Sequence, residues 1–296
     1  MEDAPTDADA GLTAVAMALG SRSVTSRPVG WGDAGATYRL ELSDGRSVAV
    51  RRGSGPAASD TIERTARVMR GLAASGLPVP TANVVRASDA THLVTPWIEG
   101  MTGAAWLDDA DRAIRLAEEM GALARRLRSV DPSLFASDAA PVRSRELALV
   151  ATANLDRLVE NLQAVTYRAM VAAIDWLAAT DRWRPVVVHG DFAPVNVIVG
   201  PDGRILALVD FEHARVGSPM ADVAWWGWVV RHHHPNAWRA AWPTFRAAAG
   251  VPSGELADDE VRAVMLVRLL ESVATAADAA TRRPWVRRLD EAAVWP

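Results

Sequence analysis

Two carboxylates and one amide in the second half of the chain have the spacing for phosphate chemistry. Asp191 follows His189-Gly190 and precedes Asn196 by five positions, and Asp210 begins Asp210-Phe211-Glu212. Between them lie the β-branched run 197–199, the turn cluster Gly200-Pro201-Asp202-Gly203 and a returning run from Arg204 to Val209. This pattern predicts a short β-hairpin. It would carry Asn196 and Asp210 toward one end, with Asp191 just beyond in a loop stiffened by Pro194. Carboxylate and amide oxygens are hard ligands suited to Mg²⁺, which keeps several waters and shares the phosphate oxygens of a nucleotide. A carboxylate at Asp191 could accept the proton of an attacking hydroxyl or aim it.

These residues resemble the aminoglycoside phosphotransferase family and its choline-kinase-like relatives. The matching positions are His189-Gly190-Asp191 with Asn196, then Asp210-Phe211-Glu212, then Gly217 and Asp222-Val223-Ala224. The resemblance implies an α+β, two-lobed protein-kinase-like fold. A small antiparallel-sheet lobe, about residues 1–97, would bind nucleotide. A larger, mainly helical lobe, about 98–296, would carry catalysis and the acceptor. It also implies Asp191 as base, Asn196 and Asp210 as Mg²⁺ ligands, and ATP or GTP as donor. The alternative for all three side chains is that Asp and Asn simply favour turns and strand ends.

Composition sets the outer limits. A chain of 296 residues allows one large or two modest domains, and half of its residues are hydrophobic. The formal net charge of -4 argues against a nucleic-acid platform. Absence of cysteine excludes disulfides and thiolate chemistry. The acidic start, Met1-Glu2-Asp3-Ala4-Pro5, does not read as a signal peptide, and no apolar run approaches the ~20 residues of a membrane span. The expectation is a cytoplasmic protein without a membrane or nucleic-acid partner; oligomeric state is left open. All 32 basic residues are arginine, so no lysine can serve a nucleotide site.

The elements that would position the nucleotide lie in the first third. Residues 6–19 predict an opening helix. Gly30-Trp31-Gly32-Asp33-Ala34-Gly35 matches a Gly-x-Gly-x-x-Gly loop, in which Gly30, Gly32 and Gly35 would let backbone approach phosphates. A strand, not a helix, is expected next, over 37–42, which excludes the dinucleotide-binding form of that motif; a plain glycine-rich turn remains the alternative. Residues 43–46 read as a hairpin turn and 47–52 as the next strand. There Val48 and Val50 face one way and Ala49 and Arg51 the other. Arg51 matches the family's phosphate-gripping lysine. Arginine keeps the charge but has a larger fork, and a solvated surface role for Arg51 stays open. On the helix expected over 59–74, Thr65 stands where the family's partner glutamate belongs. Glu63 lies about 200° away around that helix and cannot simply substitute. After it, Leu77-Pro78-Val79-Pro80 reads as extended chain.

Residues 92–95 read as the last strand of the small lobe. Pro96-Trp97-Ile98-Glu99-Gly100 resembles the hinge whose backbone meets the nucleobase, with Ile98 as one contact, or else a plain linker. Beyond it, Ile114, Ala117, Met120, Gly121, Ala124 and Leu127 have helical spacing, and 143–180 can form one long or two shorter helices. Arg128 replaces a family histidine and is expected to be structural. The resemblance makes His189 a prop for the catalytic loop, with general base the alternative, and Asp222 its brace through backbone hydrogen bonds. Glu212 would touch metal or substrate, or cap structure; it disfavours the flip that glycine permits there.

The acceptor side is less legible. There are 12 Trp against 2 Tyr and 4 Phe. Trp225 and Trp226, with Trp228, Trp238 and Trp242, could wall an acceptor site or pack between helices. His232-His233-His234 splay about 100° apart on a helix, so a solvated turn is favoured over a metal site. Late acidic residues interleave with arginines, as on salt-bridged helix surfaces, which gives no preference for a cationic acceptor. The expectation is transfer of a γ-phosphate to the hydroxyl of a small molecule, an antibiotic in the resemblance's terms. A primary-metabolite kinase and a non-catalytic nucleotide-binding protein are the alternatives.

Overall fold

A computed structural model describes residues 7–29, 37–87, 90–135, 142–180 and 183–295. The chain divides into two compact units. The first extends to Met101 and adds Ile198–Pro201 and Leu206–Glu212; the second holds Thr102–Val197, Asp202–Ile205 and the residues from His213 onward.

In the first unit, helix α1 (Asp7–Ala18) leads into strands β1 (Ser23–Val29), β2 (Thr37–Leu42) and β3 (Ser47–Ser54). Helix α2 (Pro56–Ala74) follows, then β4 (Asn83–Ala87), β5 (Ala90–Pro96) and the short β6 (Met101–Thr102). The sheet has the order β1-β2-β3-β5-β4 and is antiparallel throughout. Its central strand is β3, whose alternation is as the sequence predicts: Val48 and Val50 are buried, and Arg51, flanked by Thr37 and Leu93, is half-buried on the other face. Leu12, Val15 and Ala16 of α1 join Leu40, Leu42, Val48, Val50, Val85 and Val94 in one core. Helix α2 turns Ile62, Ala66, Val68, Met69 and Leu72 inward. Strand β4 lies beyond the extended chain expected over 77–80 and is not anticipated from the sequence; it is a five-residue strand at the sheet edge.

The second unit is mainly helical: α3 (Ala110–Arg128), α4 (Ser144–Leu158), α5 (Ala164–Ala179), α6 (Ala221–His233), α7 (Pro235–Ala248), α8 (Glu255–Thr275) and α9 (Ala279–Ala293). The region 143–180 thus forms two helices. Helix α3 begins on an Asp109 cap that accepts from the Arg112 N–H, and it buries Leu116, Ala117, Met120, Gly121, Ala124 and Leu127. Gly121 leaves no room for a side chain beside the α7 backbone at Phe245, so the two helices approach closely. Helices α4, α5, α6, α8 and α9 share a second core that includes Leu155, Met170, Leu177, Leu269 and Leu289. Strand β7 (Val186–Val188) pairs antiparallel with β10 (Arg215–Gly217), Val187 opposite Val216.

The predicted hairpin is present as β8 (Val197–Val199) and β9 (Ile205–Leu208), joined to β6 in a three-stranded sheet. Within the first unit the Leu208 N–H donates to the Pro78 carbonyl at 2.7 Å. The architecture is α+β, a small antiparallel sheet and a mainly helical C-terminal part.

Candidate active site

Strand β7 delivers the Asp191 loop from a dry interior, since Val187, Val188 and His189 are fully buried. A buried carboxylate then ties the backbone down. Asp222 Oδ2 accepts from the His189 N–H at 2.8 Å, and Oδ1 accepts from the Gly190 N–H at 2.9 Å. Gly190 has φ 82°, and a Cβ there would overlap the His213 carbonyl, so only glycine fits. The Asp191 N–H donates to His189 Nδ1 at 3.3 Å. That bond makes the imidazole a brace for the loop. Burial pushes the Asp222 carboxyl above the usual range, while the neighbouring His189, the two N–H groups and Arg215 pull it back. Arg128 stands nearby with its charge also disfavoured by burial and favoured by Asp222. Its guanidinium donates to the Pro219 carbonyl at 3.3 Å and to the Ala249 carbonyl.

Both oxygens of Asp191 are held. Trp225 Nε1 donates to Oδ1 at 2.6 Å, and Asn196 Nδ2 donates to Oδ2 at 2.9 Å and to the Asp191 carbonyl at 2.8 Å. Each carboxylate oxygen keeps a further lone pair, so the group is aimed without being blocked. The two bonds also fix the Asn196 amide, directing its NH₂ at Asp191 and leaving Oδ1 as the atom able to serve a cation. A 3₁₀ turn, Pro194–Asn196, sets that side chain just ahead of β8.

The second group of charges lies within the first unit. Arg51 Nη1 donates to Asp210 Oδ1 at 2.8 Å, and Nη2 pairs with Glu212 Oε2. Arg64 of α2 donates to the Glu212 carbonyl. Asp210 has φ 67°, and among the described residues it is the single non-glycine with positive φ. Aspartate tolerates that conformation better than most residues, and such outliers collect where a side chain must be aimed. Thr65 is buried, and Glu63 pairs with Arg86 instead of reaching Arg51.

A model of the phosphotransferase enzyme family matches residues 25–264. The chain belongs to this family. The resemblance carried by the Asp191 and Asp210 motifs is borne out. Among solved structures, a type I macrolide 2'-phosphotransferase is 19% identical with a TM-score of 0.73, covering 98% of this chain and 99% of that one. A thermostable aminoglycoside phosphotransferase mutant in complex with ADP and hygromycin B is 17% identical with a TM-score of 0.72, covering 94% and 96%. These likenesses show the expected protein-kinase-like fold. A curated relative, acyl-CoA dehydrogenase family member 10 of Mus musculus, is 28% identical over 217 residues, 66% of this chain. The chain spans 19% of that relative's length.

The phosphotransferase departs from the sequence expectation on its aromatic side. Trp226 is no acceptor wall: it is fully buried, stacks on Phe245 at 3.9 Å and donates Nε1 to the Met120 sulfur at 3.2 Å. Trp225 is also buried, stacked on Trp228 at 4.8 Å, and its polar edge is spent on Asp191. Trp238 and Trp242 stack on each other and extend the Trp226 pile. The histidine run is not a solvated turn. His232 and His233 end α6, His234 joins it to α7, and the His232 ring stacks on Trp228 at 5.1 Å. Glu212 is the partner of Arg51. Ile98 is half-buried in the segment after β5. Gly30, Gly32 and Gly35 lie outside the described residues.

The sequence reading missed Trp225 as a donor to Asp191 and Arg64 as a tie on Glu212. The signal for Trp225 was present. It lies three positions after Asp222 on α6, and residues three apart share a helix face, so the face that braces the loop also presents the indole.

No helix among the described residues is long and apolar enough to cross a membrane. Among them, no group of three or more His, Asp or Glu side chains is gathered to hold a metal alone.

Proposed function

We propose that this phosphotransferase moves the γ-phosphate of ATP or GTP to a hydroxyl of a small molecule with Asp191 as the base. The observation that carries this is the fixed Asp191 carboxylate, held on Oδ1 by Trp225 and on Oδ2 by Asn196. A base must be within reach and correctly turned before its basicity matters, and this one is oriented by Asn196 of its own loop and Trp225 of α6. Asp191 accepts the proton as the acceptor oxygen attacks. His189 and Asp222 hold the loop and touch no reactant.

Nucleotide belongs to the part before the hinge, about residues 1–97, with Arg51 as its cation, Gly30, Gly32 and Gly35 as its backbone cover and Ile98 as a nucleobase contact. The part from about 98 to 296 carries catalysis and the acceptor. Asn196 and Asp210 are the oxygen donors for Mg²⁺. This assignment rests on the family resemblance of their motifs and on the surroundings of each: Asn196 presents Oδ1, and Asp210 is turned by its positive φ. Bound Mg²⁺ would offset charge on the phosphates.

The fold neighbours include a macrolide 2'-phosphotransferase and an aminoglycoside phosphotransferase in complex with hygromycin B, which supports an antibiotic as acceptor. A primary-metabolite acceptor is the alternative, because the same base and cation-holding residues would serve it. Incubation with ATP or GTP, Mg²⁺ and a mixed panel of antibiotics and hydroxylated metabolites, read by mass spectrometry, tests both. A phosphate gain on one class identifies the acceptor. Nucleotide binding with no transfer to any member would instead favour a non-catalytic nucleotide-binding protein.

A further inference from the structure

Two substitutions against the family pattern, Arg51 for lysine and Thr65 for glutamate, remove the usual cation partner from α2. The structure supplies one from the segment after β9. The fork of Arg51 spans two carboxylates, Nη1 on Asp210 and Nη2 on Glu212. A lysine ammonium would have to meet both carboxylates from one nitrogen, whereas the guanidinium meets each from its own nitrogen in a fixed fork, so the arginine suits the relocated partner. Glu212 is anchored in turn, because Arg64 of α2 donates to its backbone carbonyl. The helix therefore still participates, two steps removed.

The two limbs differ in exposure. The Glu212 side chain is 18% exposed and that of Arg51 19%, whereas that of Asp210 is 36% exposed. A charge-assisted bond in drier surroundings is the stronger one. We infer that Glu212 is the positioning residue for Arg51. It keeps one limb of the guanidinium fixed while the other yields Asp210 to a cation and turns to a phosphate oxygen. The inference rests on the nucleotide-site reading of Arg51 and Asp210 above. Charge arithmetic agrees: with Glu212 matched to Arg51, the charge of Asp210 is left for a metal. Without Glu212 the guanidinium loses its drier anchor and leans more heavily on Asp210, in competition with Mg²⁺.

Calorimetric titration of the full chain with ADP or GDP, across a series of Mg²⁺ concentrations, tests this without any acceptor. Glu212→Gln is expected to raise the Mg²⁺ needed for half-maximal nucleotide binding by roughly tenfold, the scale of one lost charge-assisted hydrogen bond. Arg51→Lys is expected to weaken nucleotide binding although charge is kept. A Glu212→Gln chain that unfolds at the wild-type midpoint yet shows wild-type nucleotide affinity and Mg²⁺ dependence would overturn the inference. Should Gln at 212 unfold the protein, wild-type binding by Arg51→Lys would overturn it equally. A wild-type chain that binds neither nucleotide with Mg²⁺ would refute the nucleotide-site reading itself, and this inference with it.

Discussion

The indole N–H of Trp225 points at one oxygen of Asp191, 2.6 Å away, and the amide of Asn196 holds the other. The carboxylate proposed as base is thereby fixed in rotation by two neutral donors. Trp225→Phe keeps the ring and deletes the donor. Transfer is expected to fall roughly tenfold, the scale of a hydrogen bond to a charged group, with nucleotide affinity retained. In the ¹H–¹⁵N spectrum, the indole peak missing from Trp225→Phe should move in Asp191→Ala. An indole peak indifferent to Asp191→Ala would contradict the contact.

Trp226, next in sequence, is expected to behave as core. Its ring is sandwiched with Phe245 and Trp242 and has no exposed edge. Trp226→Ala should cost about 3–5 kcal/mol in urea unfolding, the usual range for truncating a buried aromatic. A loss below ~1 kcal/mol would return Trp226 to the acceptor side.

The contrast between these adjacent tryptophans shows what the sequence could disclose. The Asp191 loop and the hairpin were legible because they are local: Asp191, Asn196 and Asp210 are set by turn residues and a β-branched run within one stretch of chain. The Arg51–Glu212 pair was not, because 161 positions separate its members and no spacing rule reaches that far. Thr65 announced that a partner was missing, but not where its replacement stood. The tryptophans after Asp222 were ambiguous because α6 is buried around most of its circumference. Periodicity then ceases to separate a core face from a site face. Strand β4 was missed because five residues at a sheet edge carry too little pattern.

Asp222→Ala removes the acceptor of two backbone N–H groups and leaves the Arg128 charge without its buried neighbour. Leaving buried donors without their acceptor costs about 1–3 kcal/mol each. That loss should appear in chemical denaturation. A stability change within ~1 kcal/mol would mean that the loop stands without its brace.

The three histidines at the α6–α7 junction predict an acid limb of stability. Burial lowers the pKa of His232, His233 and His234 below the ordinary 6.5, with Glu291 opposing at His232 and Asp108 at His234. The folded state then binds fewer protons than the unfolded chain just below that value. Their contribution is therefore intact above about pH 6.5 and declines as pH falls through and below it. The unfolding temperature should drop between pH 7.5 and 5.5, and His232→Gln with His233→Gln should shrink the drop. An equal drop in the double variant would remove these histidines as the cause.

The central claim is that Asp191 is the base for transfer to a hydroxyl. The most direct measurement is phosphoryl transfer by Asp191→Ala, by mass spectrometry on an acceptor that the wild-type chain modifies, beside its affinity for nucleotide with Mg²⁺. The expected result is a roughly 10²–10⁴-fold fall in turnover, the usual contribution of general-base catalysis, with nucleotide binding largely intact. Turnover at the wild-type rate would contradict the account.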